Sequence, residues 1–198
     1  MIRPKIFNSL EDKALINGIV EGSVGVLPTD TVYGLVASAK NPLGVKDLYR
    51  LKDRHNKPGT VIAANENQLL ELGVSKKDID LASPFWPNPI SIILPVDSSL
   101  DYLSQGIGSI AFRIVADEGL RKLMEDTGPL LTSSANDPGA PPATTLEMAK
   151  DYFQNKISYY VNGGEKTNNP STIIRITDNG VEVIRQGVIK IDKKLIIL

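Results

Sequence analysis

Short apolar runs alternate with amphipathic stretches along most of this chain, and that alternation narrows the fold more than any other feature. Val24–Leu27, Thr60–Ala64, Ile90–Leu94, Ile110–Val115 and Leu130–Ser133 are the short runs, of strand length and closed by turn residues or polar side chains. Helical patterns fall between them. Pro42–Lys52 puts Val45, Leu48 and Tyr49 on one face, with Lys52 at the C-terminal end of that stripe. Two short helices are expected at Asn67–Leu72 and Ser75–Ala82. Asp117 caps a helix carrying Leu120, Leu123 and Met124 that stops at Gly128. Ser9–Glu21 reads as a helix opened by a capping box of Ser9 and Asp12, and Thr144 with Glu147 opens another that runs to Asn155. Ile157–Val161, Thr172–Ile176 and Val181–Arg185 make the end strand-rich. Alternation predicts α/β layers around one twisted sheet flanked by helices, and the tail predicts a mixed rather than parallel sheet. At 198 residues with no shift in composition, one domain over 1–198 is expected.

Composition then removes whole classes of chemistry. There is no cysteine, which excludes disulfides, thiolate metal sites and cysteine nucleophiles, and the single histidine, His55, excludes a two-histidine metal site. Neither G-x-x-x-x-G-K-[ST], G-x-G-x-x-G nor H-E-x-x-H occurs. A metal would have to be hard and oxygen-bound, most simply Mg²⁺ carried on a substrate's phosphates. With 22 Lys+Arg against 23 Asp+Glu the chain is almost neutral. A sequence pI of about 5.9 argues against a dedicated nucleic-acid binder. No apolar run reaches the ~20 residues that cross a bilayer, and the first residues do not read as a secretory signal, so the expected location is the cytoplasm.

Three segments are unlike ordinary loops. Pro28-Thr29-Asp30-Thr31-Val32-Tyr33-Gly34-Leu35 follows a buried strand and gathers two hydroxyls, a carboxylate and a phenol. Taken alone it reads as a strand-to-helix turn whose Thr and Asp bond local backbone. Lys52-Asp53-Arg54-His55-Asn56-Lys57-Pro58 sets three cations where a helix ends. The helix dipole rewards such cations with about 0.3–1 kcal/mol, but Lys52 lies on an apolar stripe and needs a partner or an anionic ligand. Thr132-Ser133-Ser134-Ala135-Asn136-Asp137-Pro138-Gly139 runs from a strand into a Pro-Gly turn whose backbone N–H groups could cradle an anion. Two arginines sit in apolar strands, Arg113 on the face of Ala111 and Val115, and Arg185 at the end of Val181–Arg185. Either also fits a surface role with its stem packed on apolar surface. His55 reads as a polar loop residue, and Trp86 as a packing residue in Pro84-Phe85-Trp86-Pro87-Asn88-Pro89.

Taken in order, Pro28–Leu35, Lys52–Pro58, Trp86–Ser91, Arg113, Ser133–Gly139 and Pro170–Thr172 resemble the motifs of the YrdC-like family of L-threonylcarbamoyladenylate synthases. The resemblance spans about residues 10 to 187 and suggests the short form without an appended C-terminal domain. Departures are local: Asp30 stands where glutamate is common, Asn88 where glycine is, Ser91 where threonine is, and Asp137-Pro138-Gly139 loses a hydroxyl. The resemblance implies a YrdC-like fold with a concave basic cleft. It implies a nucleotidyltransferase that uses L-threonine, bicarbonate or CO₂, and ATP as substrate, with Mg²⁺ held mainly through phosphates. Its product, threonylcarbamoyl-AMP, would serve N6-threonylcarbamoyladenosine formation at position 37 of tRNA, with other threonylcarbamoylation proteins downstream and transient tRNA contact at most.

The same resemblance implies site roles. Lys52, Arg54 and Arg113 carry the catalytic charge, with Lys52 and Arg54 on phosphates or the threonine carboxylate, and Arg113 on a carboxylate or carbamate. Thr29, Thr31 and Tyr33 line the threonine end. Ser134 and Asn136 bind the AMP part or the carbamate, and Ser171 and Arg185 close the nucleotide side. No protein metal ligands are expected. Two rival readings remain. One is a non-catalytic factor binding tRNA or double-stranded RNA, or acting in ribosome maturation. The other is a carbamoyl-adenylate-forming domain of the hydrogenase-maturation type, disfavoured by the absence of cysteine.

Overall fold

The computed structural model describes residues 3–166 and 169–191. In chain order the elements are β1 (Lys5–Phe7), α1 (Lys13–Val20), β2 (Gly25–Pro28), β3 (Tyr33–Ser38), α2 (Pro42–Leu51), β4 (Thr60–Ala63), α3 (Glu66–Leu72), α4 (Lys76–Ala82), β5 (Ile90–Pro95), α5 (Asp101–Ser104), β6 (Ser109–Ile114), α6 (Glu118–Thr127), β7 (Leu130–Ser134), α7 (Leu146–Phe153), β8 (Tyr159–Val161), β9 (Thr172–Thr177) and β10 (Gly180–Arg185). The ten strands of the described residues join one sheet in the order β1-β8-β2-β3-β7-β4-β6-β5-β9-β10. The sheet is mixed, as the tail pattern predicts: β4 and β6 run parallel, while β2–β3, β3–β7, β4–β7 and β5–β6 are antiparallel. Among the described residues, no helix is long and apolar enough to cross a membrane.

Strand alternation divides the core in two. Val26, Leu35, Val61, Phe112 and Leu131 point to one face, where α2, α3, α4 and α7 cover them with Val45, Leu48, Leu69, Ile79 and Phe153. Leu27, Val36, Ile62 and Leu130 point to the other, under Leu15 and Ile19 of α1 and Leu120, Leu123 and Met124 of α6. Helices α1 and α6 cover only part of that second face. Beyond their reach the same strands continue with polar or small residues.

The elements match the sequence pattern with instructive shifts. Helix α1 begins at Lys13 because Asp12, not Ser9, receives the Ala14 and Leu15 N–H groups. Ser9 instead closes its own short turn by accepting from the Glu11 N–H at 3.1 Å. Thr145, not Thr144, caps α7 by accepting from the Met148 N–H at 3.2 Å. Tyr33–Ser38 is a strand, so the Pro28–Leu35 segment is a strand-to-strand connection and not a strand-to-helix turn. Six buried residues in a row hide the alternation there, since both faces of β3 are covered. Trp86 packs in the core and donates its indole N–H to the Ile90 carbonyl at 3.1 Å. His55 is exposed beside Asp53 at 3.4 Å.

Candidate active site

The uncovered part of the second sheet face is the floor of a cavity of about 290 Å³. Register explains what lines it. Gly34 of β3 lies opposite Ser134 of β7, Thr132 of β7 opposite Thr60 of β4, and Thr60 opposite Ala111 of β6. Arg113 follows Ala111 by two residues and so shares its face, as alternation predicts. Over this floor arches the β2–β3 connection, with Thr29 and Thr31 facing the cavity, while Arg54, Ser171 and Arg185 stand at its sides. The site therefore lies on a face of the sheet, built from the start of β4 and the end of β7 alike, because the sheet is mixed.

The β2–β3 connection is a closed turn around Thr29. Its hydroxyl donates to the Val32 carbonyl at 2.6 Å and accepts the Thr31 and Val32 N–H groups at 3.2 Å each. Local turn chemistry and a place at the cavity thus coexist in the same residue. Gly34 allows the close seating of this turn: a Cβ there would meet Thr132 Oγ1 at 2.6 Å and Thr29 Cγ2 at 3.0 Å. Tyr33 is buried behind the turn. Its hydroxyl donates to the Gly164 carbonyl at 2.7 Å and accepts the Gly163 N–H at 3.0 Å, and burial raises its pKa.

Asp30, at the tip of the turn, reaches Arg113. Arg113 Nη2 donates to Asp30 Oδ1 at 2.8 Å, with side chains only 3% and 12% exposed. Arg113 Nε is buried without a partner among the described residues. Burial pulls the Arg113 pKa down and Asp30 opposes that. Burial also lowers Arg185, with Arg113 and Arg54 pushing the same way, and it lowers Arg54. Arg185 thus feels both Arg113 and Arg54, and one carboxylate, Asp30, is paired with Arg113. Arg185 Nη2 donates to the Ser171 carbonyl at 2.8 Å, and Ser171 shares a 3.0 Å hydroxyl contact with Ser91. The Arg54 guanidinium makes a single long hydrogen bond among the described residues, to the Pro58 carbonyl at 3.5 Å. Such a group of cations is suited to a polyanion.

Lys52 and Asn136 stand behind the cavity wall and do not line it. As the C-cap of α2, Lys52 is carried under the 134–140 turn, 4% exposed. Its Nζ donates to the Ser134 carbonyl at 2.9 Å, to Asn136 Oδ1 at 3.1 Å and to the Asn136 carbonyl. The partner demanded by its place on an apolar stripe is therefore the protein's own backbone. Burial lowers its pKa to about 8, Arg54 adds to this, and Asp137 opposes it. Asn136 completes the turn, accepting from Ser134 Oγ at 2.6 Å and donating to the Ala140 carbonyl at 2.7 Å. Pro138 and Gly139, the latter at φ 82°, occupy the centre of a turn closed by the Ala140 N–H on the Asp137 carbonyl. The N–H groups of Ala135, Asn136 and Ala140 bond within the protein, while those of Asp137 and Gly139 have no acceptor among the described residues.

A larger hollow of about 770 Å³ lies beside α2 and α5. Of the nominated residues it contains Arg54 alone. Of its other charges, Arg50 pairs with Asp47 at 3.2 Å and His55 lies near Asp53, while Lys46 and Asp101 make no ion pair among the described residues. The polar sheet face is therefore the better site. Sequence reasoning missed Asp30, Thr60 and Thr132 as site residues. A buried strand arginine requires a carboxylate, and the acid between Thr29 and Thr31 was the signal that could have found Asp30.

Comparison with known proteins identifies the family and the fold. The Sua5/YciO/YrdC family profile, described as "Telomere recombination", matches residues 17–187. The chain belongs to this family. A Methanocaldococcus jannaschii relative is 34% identical over 182 residues, covering 88% of this chain and 84% of its own; its name provisionally assigns it as a threonylcarbamoyl-AMP synthase. A Pyrococcus abyssi threonylcarbamoyl-AMP synthase is 32% identical over 85% of this chain, which spans only 52% of that protein. The crystal structure of Pyrococcus abyssi Sua5 complexed with L-threonine superposes with a TM-score of 0.80 at 30% identity, covering 92% of this chain and 57% of the other.

Proposed function

We infer that this chain is a threonylcarbamoyl-AMP synthase, joining L-threonine, bicarbonate or CO₂, and ATP, and that it supplies the threonylcarbamoyl group for N6-threonylcarbamoyladenosine at position 37 of tRNA. The observation that carries the reading is the convergence of Arg54, Arg113 and Arg185 on one polar patch of sheet face, in a chain whose relatives bear this activity name. The chemistry is adenylyl transfer. The threonine nitrogen bonds to the carbon of CO₂, losing a proton and giving a carbamate. A carbamate oxygen then bonds to the α-phosphorus of ATP, and the bond to the bridging oxygen breaks as pyrophosphate leaves.

No protein nucleophile is needed. The residues must instead collect anions and hold them in line, which can lower a barrier by about 7–11 kcal/mol. Arg113 holds a carboxylate or the carbamate with a planar fork. Arg54 and Arg185 neutralise the phosphates, and Ser171 fixes the Arg185 guanidinium. Thr29 and Thr31 line the amino-acid end, with Tyr33 anchoring their turn against Gly163 and Gly164. Ser134 faces the nucleotide, and Lys52 with Asn136 hold its turn from behind. Among the described residues there is no group of three His, Cys, Asp or Glu to bind a metal. Mg²⁺ would enter with the ATP phosphates, whose oxygens are the hard ligands it takes. Downstream threonylcarbamoylation proteins and tRNA take the product.

Pyrophosphate release tests the reading. It should require L-threonine, bicarbonate and ATP together, and a threonylcarbamoyl adenylate should appear by mass spectrometry. Release at the same rate without threonine would remove this function.

A further inference from the structure

Arg54 has two places to go. It lines the cavity and also the larger hollow beside α2 and α5, so it stands in the wall between them. Electrostatics favours the hollow when no anion fills the cavity. On the cavity side Arg185 lies close enough to repel it: burial lowers the Arg185 pKa, and Arg113 and Arg54 lower it further. On the other side lie Asp53 and Asp101, and Asp101 makes no ion pair among the described residues. Against this pull the guanidinium has one long bond, to the Pro58 carbonyl at 3.5 Å. The main chain around Arg54 is also weakly held by its own turn. Asp53 and Asn56 are left-handed, at φ 45° and 54°, a region that side chains rarely occupy. Residues 55–57 make no hydrogen bond to another main-chain group among the described residues. Gln105 supplies what is missing. Its Oε1 accepts the Lys57 N–H at 3.2 Å, and its Nε2 donates to the Arg54 carbonyl at 3.3 Å. The carbonyl needs a donor and the N–H an acceptor, so the two partners fix the orientation of the amide.

We propose that Gln105 is a positioning residue: its amide brackets the 54–57 turn and holds Arg54 on the cavity side, ready for the phosphates of a nucleoside triphosphate. This rests on the function inferred above, which assigns Arg54 to those phosphates. Gln105 does not line the cavity; it faces the hollow, on the far side of the turn. Its place is set by α5, which it closes as the C-cap at φ 55°. The same helix holds the other end of the loop. The Tyr49 hydroxyl donates to the Leu103 carbonyl at 2.5 Å and accepts the Gly59 N–H at 3.2 Å. Left-handed backbone at a residue other than glycine persists where its surroundings offset the strain. Here the offset comes from two hydrogen bonds across the turn, which glycine, the residue best suited to that φ, would lose. A bracket already in place before the nucleotide arrives removes an ordering cost from binding, so its effect falls on affinity.

Calorimetric titration of the full chain with ATP tests this on four proteins: wild type, Q105G, R54A and the double variant. Because glycine adopts left-handed backbone freely, Q105G removes the bracket and keeps the turn. Q105G should bind ATP about 5- to 20-fold more weakly than wild type, and R54A about 10- to 100-fold more weakly. In the R54A background, Q105G should change the affinity by less than about twofold, because the bracket acts through that arginine. A loss of the same size with and without Arg54 overturns the proposal, and so does a folded Q105G with wild-type affinity for ATP. Should Q105G not fold, Q105M, which keeps the stem and loses both hydrogen bonds, takes its place. If neither folds, the side chain holds the whole fold rather than one arginine, and the proposal is overturned. Weaker ATP binding by Q105G in a protein that releases no pyrophosphate would sink the synthase reading and leave the bracket standing. Pyrophosphate release with unchanged affinity in Q105G would do the reverse, and a wild type that binds no ATP loses both.

Discussion

One face of this sheet is two different surfaces. Where α1 and α6 cover it, Leu27, Val36, Ile62 and Leu130 are fully buried and apolar. Two residues further along the same strands, beyond the helices, stand Thr60 on β4, Gly34 on β3, and Thr132 on β7. The backbone ladder is continuous across the boundary; only the side chains change. A sheet face thus serves as core and as reaction floor at once, and the boundary is set by where two helices stop. The covered half is held by the release of apolar surface from water, the open half by a few polar contacts that leave ligand-facing donors free.

Mutations on either side of the boundary should separate these roles. The largest effect is expected from Arg113→Ala, which should lower threonine-dependent pyrophosphate release about 100- to 1,000-fold, with the fold retained by circular dichroism. Activity within tenfold of wild type would remove the distinction between floor and core. Ile62→Ala, on the covered half, should instead cost about 2–5 kcal/mol in urea unfolding while the folded fraction keeps its turnover. Its neighbour on the same strand, Thr60→Val, should reverse the pattern, shifting stability by less than about 1 kcal/mol while lowering activity.

Lys52 gives a subtler contrast because it supports the open half from beneath. In the folded chain its ammonium loses its proton near pH 8, whereas in the unfolded chain it does so near 10.5. Between those values the unfolded state binds more protons, so this residue's contribution to stability rises with pH. Over the same range the 134–140 turn loses a hydrogen-bond donor, so pyrophosphate release should decline. Opposite slopes in unfolding free energy and turnover above pH 8 are the expected signature, and parallel slopes would refute it. The smallest effect is expected from His55→Ala. That side chain is 87% exposed at the hollow beside α2, and stability should stay within about 0.5 kcal/mol of wild type with turnover unchanged.

Much of this was legible from the chain alone. Alternating apolar runs and helical stripes gave the α/β class, and the strand-rich tail gave the mixed sheet, since periodicity reports which face of an element is buried. Strand alternation placed Arg113 beside Ala111, and the order of the motifs pointed to the family. What stayed hidden was partnership. Lys52 and Arg54 lie two residues apart, yet the first ends under the 134–140 turn and the second in the cavity, because Lys52 caps α2 while the chain after it turns away. Asp30 is 83 residues from Arg113, and no local pattern joins them. Local preferences and hydrophobic period act over a few residues and are written in sequence. Which charges meet, and which donors are left empty, depends on contacts between distant strands that exist only once the sheet has closed.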